Sequence, residues 1–258
     1  MTNRSSVPRT TSWLAGMALN VASPETLAAF YTHHLGMAVD RSGEFLRLGY
    51  GGQGASLELR PLPSPKPYVH DASDEYWKIG ITLPDVDMAF EQLSRAGVQV
   101  TQPRQFLDIG YMCHFTDPDG FQIELLQHTF DDQPRTSQGN PDLPLGGGAQ
   151  IGQITLRVAD LDNALAYYRN SMGMRLLSKQ VVAGRDFTLY FLAFTDETPP
   201  EGGIEAVANR PWLWQRPYTT LELQHLTKPG SSVRPAPAGT TGYASLLIAD
   251  DTSRITGS

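Results

Sequence analysis

The sequence predicts an α+β fold made of repeated modules, each with a strand, a helix and two or three further strands. The first observation is an internal repeat: "LNVASPETLAAFYTHHLGM" at 19–37 aligns without gaps with "LRVADLDNALAYYRNSMGM" at 156–174. The second is that strand-like runs with a period of two follow each predicted helix. Together they favour a fold built by duplication.

Each module opens with a short strand and an N-capped helix. A third copy, "KIGITLPDVDMAFEQLSRAGVQV" at 78–100, has the same strand and an Asp cap at Asp85, and its apolar residues keep helical spacing. A fourth copy begins with "YASLLIADD" at 243–251 and then stops. We therefore predict three full modules and the start of a fourth.

The strands after each helix complete the modules. They are "EFLRLGY" and "ASLELRPL" in the first module, "GYMCHFTDPDGFQIELLQ" in the second, and "FTLYFLAF" and "YTTLELQH" in the third. The "DPDG" sequence predicts a hairpin turn. Residues 129–150 are rich in Gly, Pro and polar residues and are predicted to be a linker.

Composition limits the function classes. The chain has 258 residues, a formal charge of −7 and 40% hydrophobic residues, which suits a globular protein and argues against nucleic acid or an anionic membrane as partner. Its one cysteine, Cys113, fits a reducing compartment, and no run of about 18 apolar residues could span a bilayer. We expect a cytoplasmic protein that binds a small molecule.

Three glutamates occupy an unusual place. Glu58, Glu124 and Glu222 each stand between apolar residues in the last strand of a module. Because side chains alternate along a strand, each carboxylate points away from its apolar neighbours, either to water or into a cavity. The strands alone leave both possibilities open.

The repeats, together with "AFYTHHLGM", "AYYRNSMGM" and "DPDGFQIELL", resemble the vicinal oxygen chelate superfamily of glyoxalase I, bleomycin-resistance proteins and extradiol dioxygenases. The third module is most similar to glyoxalase I. The resemblance implies βαβββ modules that form curved, open mixed sheets with helices on the convex side. The predicted divisions are a flexible tail at 1–12, a two-module domain at 13–128, the linker at 129–150, and a second domain at 151–258.

The resemblance also implies a metal site. In tandem members of the family the second and third modules build one site and the first and fourth the other. Gln153, Glu222 and Glu124 would then hold one divalent ion (Zn, Ni, Mn or Mg), with Lys78 where a histidine normally stands. This set of oxygen ligands suits such ions. The other site keeps only Glu58 and is expected to be degenerate.

The resemblance further implies a lyase or isomerase that moves a proton between adjacent carbons of a substrate with vicinal oxygens. Glu124 matches the family's base, Glu222 is a possible second base, and His114 could ligate the ion or act as a base. Arg157 matches an arginine that grips glutathione. The basic residues that bind the glycine end of glutathione in the family have no equivalents here, so the resemblance leaves open whether glutathione is a co-substrate.

Two alternatives remain open. Lys78 could replace the ion with its own charge and pair with Glu124 and Glu222 in a metal-free pocket, as in a bleomycin-resistance-like binding protein. Trp212 and Trp214, in the insertion of the third module, could line such a pocket. A ring-cleaving extradiol dioxygenase needs two histidines and a glutamate on iron, and the aligned positions supply no histidine.

A last expectation concerns assembly. The fourth module starts at 243–251 and lacks its remaining elements, so the first module would leave a sheet edge and an apolar face exposed. We expect a homodimer that covers these surfaces, or else a pairing of the first two modules as one domain.

Overall fold

A computed structural model describes residues 12–51, 54–63 and 66–250. The predicted tail therefore lies outside the described residues, apart from Ser12, which begins the first strand. No helix within the described ranges is long and apolar enough to cross a membrane.

Three successive βαβββ modules follow one another along the chain, and a single strand comes after them. The first module comprises β1 (Ser12–Val21), α1 (Pro24–Leu35), β2 (Ala38–Asp40), β3 (Leu46–Gly49) and β4 (Ser56–Pro61). The second comprises β5 (Tyr76–Leu83), α2 (Val86–Arg95), β6 (Arg104–Phe106), β7 (Gly110–Thr116) and β8 (Gln122–Gln127). The third comprises β9 (Gln150–Val158), α3 (Leu161–Leu165), β10 (Arg175–Val181), β11 (Phe187–Ala193), α4 (Asn209–Trp214) and β12 (Thr220–Leu226), and β13 (Gly242–Asp250) follows. The predicted α+β repeat is confirmed.

The strands form two mixed sheets. One has five strands in the order β13-β1-β4-β3-β2, and the other has eight in the order β10-β11-β12-β9-β5-β8-β7-β6. Modules two and three thus share the larger sheet through the antiparallel pair β5 and β9, and β13 pairs with module one. Modules one and two contribute their strands to different sheets, and the expected pairing of these two modules as one domain stays a prediction. The division at 13–128 and 151–258 remains a prediction about domains, because the larger sheet runs across it.

Capping and turn chemistry explain where the helices and one hairpin form. The carboxylates of Asp85 and Asp160 accept the backbone N–H of the third residue of α2 and α3 respectively, which satisfies a donor that the helix leaves free. The "DPDG" turn joins β7 to β8, and Gly120 there has a φ of 97°, which glycine adopts without strain. Each prediction is confirmed at these positions.

The two faces of the larger sheet have different neighbours. Ile79, Ile123 and Ile154 pack with α1 and α2 residues in the main core, whereas Met112 and Leu126 point to the opposite face. Since alternate residues of a strand point to opposite faces, α1 and α2 lie on one side of the sheet, and a second apolar cluster, which includes Trp214 of α4, lies on the other. The site described below is on that second side.

The predicted linker is partly packed. It contains a single 3₁₀ turn at Pro144–Gly146, and Leu145 within it is fully buried in the main core. Arg135 forms ion pairs with Asp85 and Asp87 at the start of α2. Part of the segment 129–150 is therefore fixed against the second module.

Candidate functional site

Strand register brings the glutamates of modules two and three to one place. Glu124 on β8 stands opposite Gly80 on β5, and Glu222 on β12 stands opposite Thr155 on β9. Because β5 and β9 are neighbours at the centre of the eight-stranded sheet, both carboxylates point to the same face near its middle.

Lys78 lies between the two carboxylates. Its Nζ is 2.6 Å from Glu124 Oε1 and 3.3 Å from Glu222 Oε2. All three residues are buried, with exposed fractions of 4% or less. The ring of Trp77 lies 4.8 Å from the ammonium. One cation therefore serves two carboxylates, and the cluster is shielded from bulk water.

Both oxygens of Glu124 are already committed. Gln153 Nε2 donates to Oε1 at 2.9 Å, in addition to Lys78, and His114 Nε2 lies 2.8 Å from Oε2. Burial raises the pKa of Glu124, but the charge of Lys78 and the hydrogen bond with His114 outweigh it, so this pKa lies well below its usual range. Glu124 is consequently a stable anion with little capacity to accept a proton.

Glu222 differs from Glu124 in having an uncommitted oxygen. Thr155 Oγ1 donates to Oε2 at 2.7 Å, while Oε1 is buried and has no hydrogen-bond partner among the described residues. Burial raises the pKa of Glu222, the charge of Lys78 lowers it, and the charge of Glu124 raises it, with a net increase. A carboxylate with a free oxygen and a raised pKa suits proton transfer.

The cluster forms the polar floor of a cavity of about 240 Å³ on this face of the sheet. Most of the lining is apolar and comes from five strands, α4 and a loop: Trp77, Phe106, Ile109, Met112, Leu126, Phe187, Leu189, Phe191 and Trp214. The polar lining consists of Lys78, Arg104, His114, Glu124, Gln153, Arg185 and Glu222. An apolar pocket with a few convergent polar groups is typical of a small-molecule site, and this volume favours a small ligand.

Two further buried polar atoms of the lining residues have no hydrogen-bond partner among the described residues. They are Gln153 Oε1, an acceptor, and Trp214 Nε1, a donor. Buried polar groups are normally hydrogen-bonded, and an unpaired one is costly. Together with Glu222 Oε1, these atoms offer a bound molecule two acceptors and one donor.

Two residues predicted to bind substrate lie elsewhere. Arg157 does not line the cavity; it donates to the carbonyl oxygens of Asp71, Asp74 and Tyr76 and to Gln224 Oε1. Its guanidinium therefore fixes the segment before β5, and the expectation that it grips a ligand stays a prediction. Trp212 also lies outside the lining and stacks on a guanidinium, that of Arg216, at 4.4 Å.

The equivalent position in the smaller sheet has a different environment. Glu58 on β4 stands opposite Ala18 on β1 and is buried, but Arg47 and Arg60 both contact its oxygens at 2.8 Å. Burial raises the pKa of Glu58, and the hydrogen bonds from Arg60 and Arg47 lower it further than burial raises it. Glu58 is therefore paired with two arginines, and the expectation that this second site is degenerate stays a prediction.

The residues of the larger sheet do not fit the predicted divalent ion. An ion bound by Glu124, Glu222 and Gln153 would share the space of the Lys78 ammonium, whose pKa burial lowers and the two carboxylates raise further. At an effective dielectric constant of about 20, a divalent ion 4 Å from this ammonium would be repelled by about 8 kcal/mol. This repulsion offsets the attraction that one of the two carboxylates would exert on the ion at the same distance, about 8 kcal/mol. Lysine could ligate a metal only after losing its proton.

Sequence reasoning missed several residues of this cavity. Phe187, Leu189 and Phe191 alternate along β11, and all three point into the cavity. The period-two pattern of "FTLYFLAF" could have identified this face once the cavity side of the sheet was known. Arg104 and Arg185 gave no comparable signal.

Comparison with known proteins supports the architecture. Residues 13–125 match the family model of the Glyoxalase/Bleomycin resistance protein/Dioxygenase superfamily. The lactoylglutathione lyase GLX1 of Arabidopsis thaliana is 25% identical over 177 residues, which cover 65% of this chain and 57% of that protein. Glyoxalase I of Saccharomyces cerevisiae is 23% identical over 212 residues, covering 68% and 61% respectively. The chain thus spans less than two thirds of these relatives.

Solved structures extend the similarity to nearly all of the chain. The crystal structure of glyoxalase I from Zea mays superposes with a TM-score of 0.65 at 20% identity, covering 94% of this chain and 75% of that one. A putative dioxygenase from Bacillus subtilis gives a TM-score of 0.53 at 17% identity, covering 96% and 74%. Residues 13–125 are therefore similar to the Glyoxalase/Bleomycin resistance protein/Dioxygenase superfamily, and the chain as a whole has the fold of glyoxalase I.

Proposed function

We propose that this protein is a glyoxalase I-like lyase or isomerase that moves a proton between adjacent carbons of a small α-hydroxycarbonyl compound, a substrate with vicinal oxygens, with Glu222 as the base. The observation that carries this proposal is the free, buried Oε1 of Glu222 in an apolar cavity. The fold of glyoxalase I and the relatives named lactoylglutathione lyase support the same reaction class.

The residues suggest how such a proton transfer would proceed. Glu222 Oε1 takes the proton from the carbon next to the substrate carbonyl, and the electron pair moves onto the carbonyl oxygen. Lys78 has three N–H donors, of which two are directed to Glu124 and Glu222, so the third can donate to that oxygen. The proton of the neighbouring hydroxyl group then passes to this oxyanion, and Glu222 returns its proton to the former carbonyl carbon, so that the hydroxyl and the carbonyl exchange places. The substrate is isomerised, and no oxidant is consumed.

Glu124 has a different role in this scheme from the one the sequence predicts. The family resemblance names it as the base, yet both of its oxygens are engaged by Lys78, Gln153 and His114. We assign it to holding Lys78 charged and in place. His114, whose side chain is 37% exposed, lines the cavity, and its Nε2 lies 2.8 Å from Glu124 Oε2.

Deuterium exchange tests the proposed reaction. The wild type, in D₂O, is incubated with S-lactoylglutathione and with a panel of small α-hydroxyketones, and loss of the proton next to the carbonyl is followed by NMR. We expect exchange of at least one compound, slowed by about 10² to 10⁴ in Glu222→Gln, the usual contribution of a general base. Glu58→Gln is the matched control, because it alters the equivalent strand position of the other sheet. Equal rates in wild type and Glu222→Gln would contradict the proposal.

A second candidate is a binding protein of the bleomycin-resistance type. It is favoured by the apolar lining and by the two unpaired acceptors, Gln153 Oε1 and Glu222 Oε1, which suit an apolar ligand with a cationic or N–H group. The same NMR experiment distinguishes the classes: saturable binding without exchange of any compound supports the binding protein.

We also propose a homodimer and a cytoplasmic location. β13 is an edge strand of the five-stranded sheet, and Leu246, Leu247 and Ile248 on it are partly exposed. A second copy could pair with this edge, because an edge strand presents backbone N–H and C=O groups that have no partner strand. Light scattering over a dilution series tests the dimer; a mass near 28.3 kDa at micromolar concentration would exclude it.

Cell fractionation tests the proposed cytoplasmic location.

A further inference from the structure

We infer that Lys78 is a built-in cation that keeps divalent ions out of this site, and that the single change Lys78→His would turn the site into a metal centre. The inference concerns the cluster around Glu124 and Glu222. The catalytic role of the Lys78 ammonium rests on the proposed function, whereas the exclusion of metal ions does not.

The first argument is positional. Lys78 stands two residues before Gly80, the partner of Glu124, and Gln153 stands two residues before Thr155, the partner of Glu222. The two modules thus contribute matching pairs, Lys78 with Glu124 and Gln153 with Glu222. A ligand side chain at residue 78 would face the same point as Gln153. The Lys78 ammonium therefore occupies the position of a fourth ligand beside Glu124, Gln153 and Glu222.

The second argument is the contacts. The ammonium lies 2.6 Å from one carboxylate and 3.3 Å from the other, and Gln153 donates to the same Glu124 oxygen at 2.9 Å. An ion between these oxygens would have to displace the ammonium, which is enclosed by the cluster and by Trp77. Buried charges are stable only when paired, so Lys78 cannot leave without exposing two carboxylates to each other.

The third argument is what remains when the ammonium is removed. A histidine at residue 78 would contribute a neutral nitrogen beside two carboxylates, and Gln153 Oε1 has no hydrogen-bond partner among the described residues. One nitrogen and three oxygens form a donor set that zinc, nickel and manganese accept. The change thus removes the repelling charge and supplies a ligand at once.

The test measures metal content and affinity. The full chain is treated with chelator, mixed with Zn²⁺, Ni²⁺ or Mn²⁺, separated from free ions and analysed by mass spectrometry, with calorimetry for Kd. We expect the wild type to bind no ion at this site and Lys78→His to bind one. The Kd of the variant should be at least about a hundredfold lower than that of the wild-type protein for the same ion. Lys179→His is the control: it places a histidine beside Glu205 on the surface and should gain no such site.

Two results would overturn the inference. One is a wild type that holds one ion per chain and loses it in Glu222→Gln. The other is a folded Lys78→His that gains no affinity over the wild type. If Lys78→His does not fold, the wild-type measurement still decides. Metal content is independent of turnover, so a metal-free wild type that exchanges no compound would remove the proposed reaction and leave this inference intact.

Discussion

Lys78 Nζ and Glu124 Oε1 lie 2.6 Å apart in the middle of an eight-stranded sheet, with both side chains buried. This pair joins two neighbouring strands of one module and also contacts the carboxylate that the next module contributes, Glu222. Stability, chemistry and metal exclusion are therefore linked at one residue, Lys78.

Removing the ammonium should strongly destabilise the protein. In Lys78→Met, Glu124 and Glu222 would lose their shared counter-charge, and breaking a buried ion pair in this way costs about 3–5 kcal/mol. Urea unfolding at pH 7 measures the difference. Lys179→Met is the matched control, because its partner Glu205 is exposed and surface pairs contribute about 0–1 kcal/mol. Equal losses in the two variants would show that the buried cluster has no special role in stability.

The difference in unfolding free energy between the wild type and Lys78→Met should be smaller at acidic pH. Because the folded-state pKa of Glu124 lies below its ordinary value of 4.5, the pair's stabilisation is present above that pH and is lost as the pH falls through the folded pKa. In the variant, the unpaired carboxylates would protonate at higher pH, which relieves their burial. We therefore expect the difference in unfolding free energy to narrow between pH 7 and pH 4. A difference that stays constant would contradict a charge-based origin.

Arg157 should matter for stability rather than for ligand binding. Its guanidinium donates to three backbone carbonyls and to Gln224, so Arg157→Met should cost about 3 kcal/mol, as for buried bonds to a charged donor. Urea unfolding checks the loss. Binding of the fluorescent probe anilinonaphthalene sulfonate, measured on the folded variant, should be within about twofold of wild type, less than 0.5 kcal/mol. A larger loss of affinity would restore Arg157 to the binding site.

Substitutions of the two tryptophans of the insertion should have different effects on the affinity for the same probe. Trp214 lines the cavity beside Phe191 at 5.2 Å, whereas Trp212 stacks on Arg216 outside it. Trp214→Leu should therefore weaken probe binding about tenfold, or 1.4 kcal/mol, and Trp212→Leu should leave it unchanged. Loss of affinity in Trp212→Leu alone would place the ligand elsewhere.

Much of this architecture could be predicted because it depends on periodic patterns. The gapless repeat predicts equivalent strands, and the period of two places Glu58, Glu124 and Glu222 at matching positions, which the register bears out. The pairing of modules two and three came from the family resemblance. Repetition in sequence therefore predicts the equivalent positions of the glutamates, and the resemblance predicts which modules meet at the site.

Other features had no local signal. The contacts of Arg157 depend on how the segment before β5 folds, because backbone carbonyl oxygens of that segment accept its hydrogen bonds. No pattern of side chains in the sequence predicts where those carbonyls lie. Glu124 and Glu222 have similar local sequences, and only the hydrogen bonds from Gln153, His114 and Thr155 distinguish them. Which carboxylate remains free is a tertiary property.

The most direct test of the central claim is proton exchange by the wild type in excess chelator. With the compound that exchanges fastest, NMR is used to compare the rate in chelator with the rate after Zn²⁺, Ni²⁺, Mn²⁺ or Mg²⁺ is added. Because Lys78 supplies the positive charge and Glu222 the base, we predict full exchange in chelator and no acceleration by any of the ions. Exchange that stops in chelator and returns with a divalent ion would contradict the account.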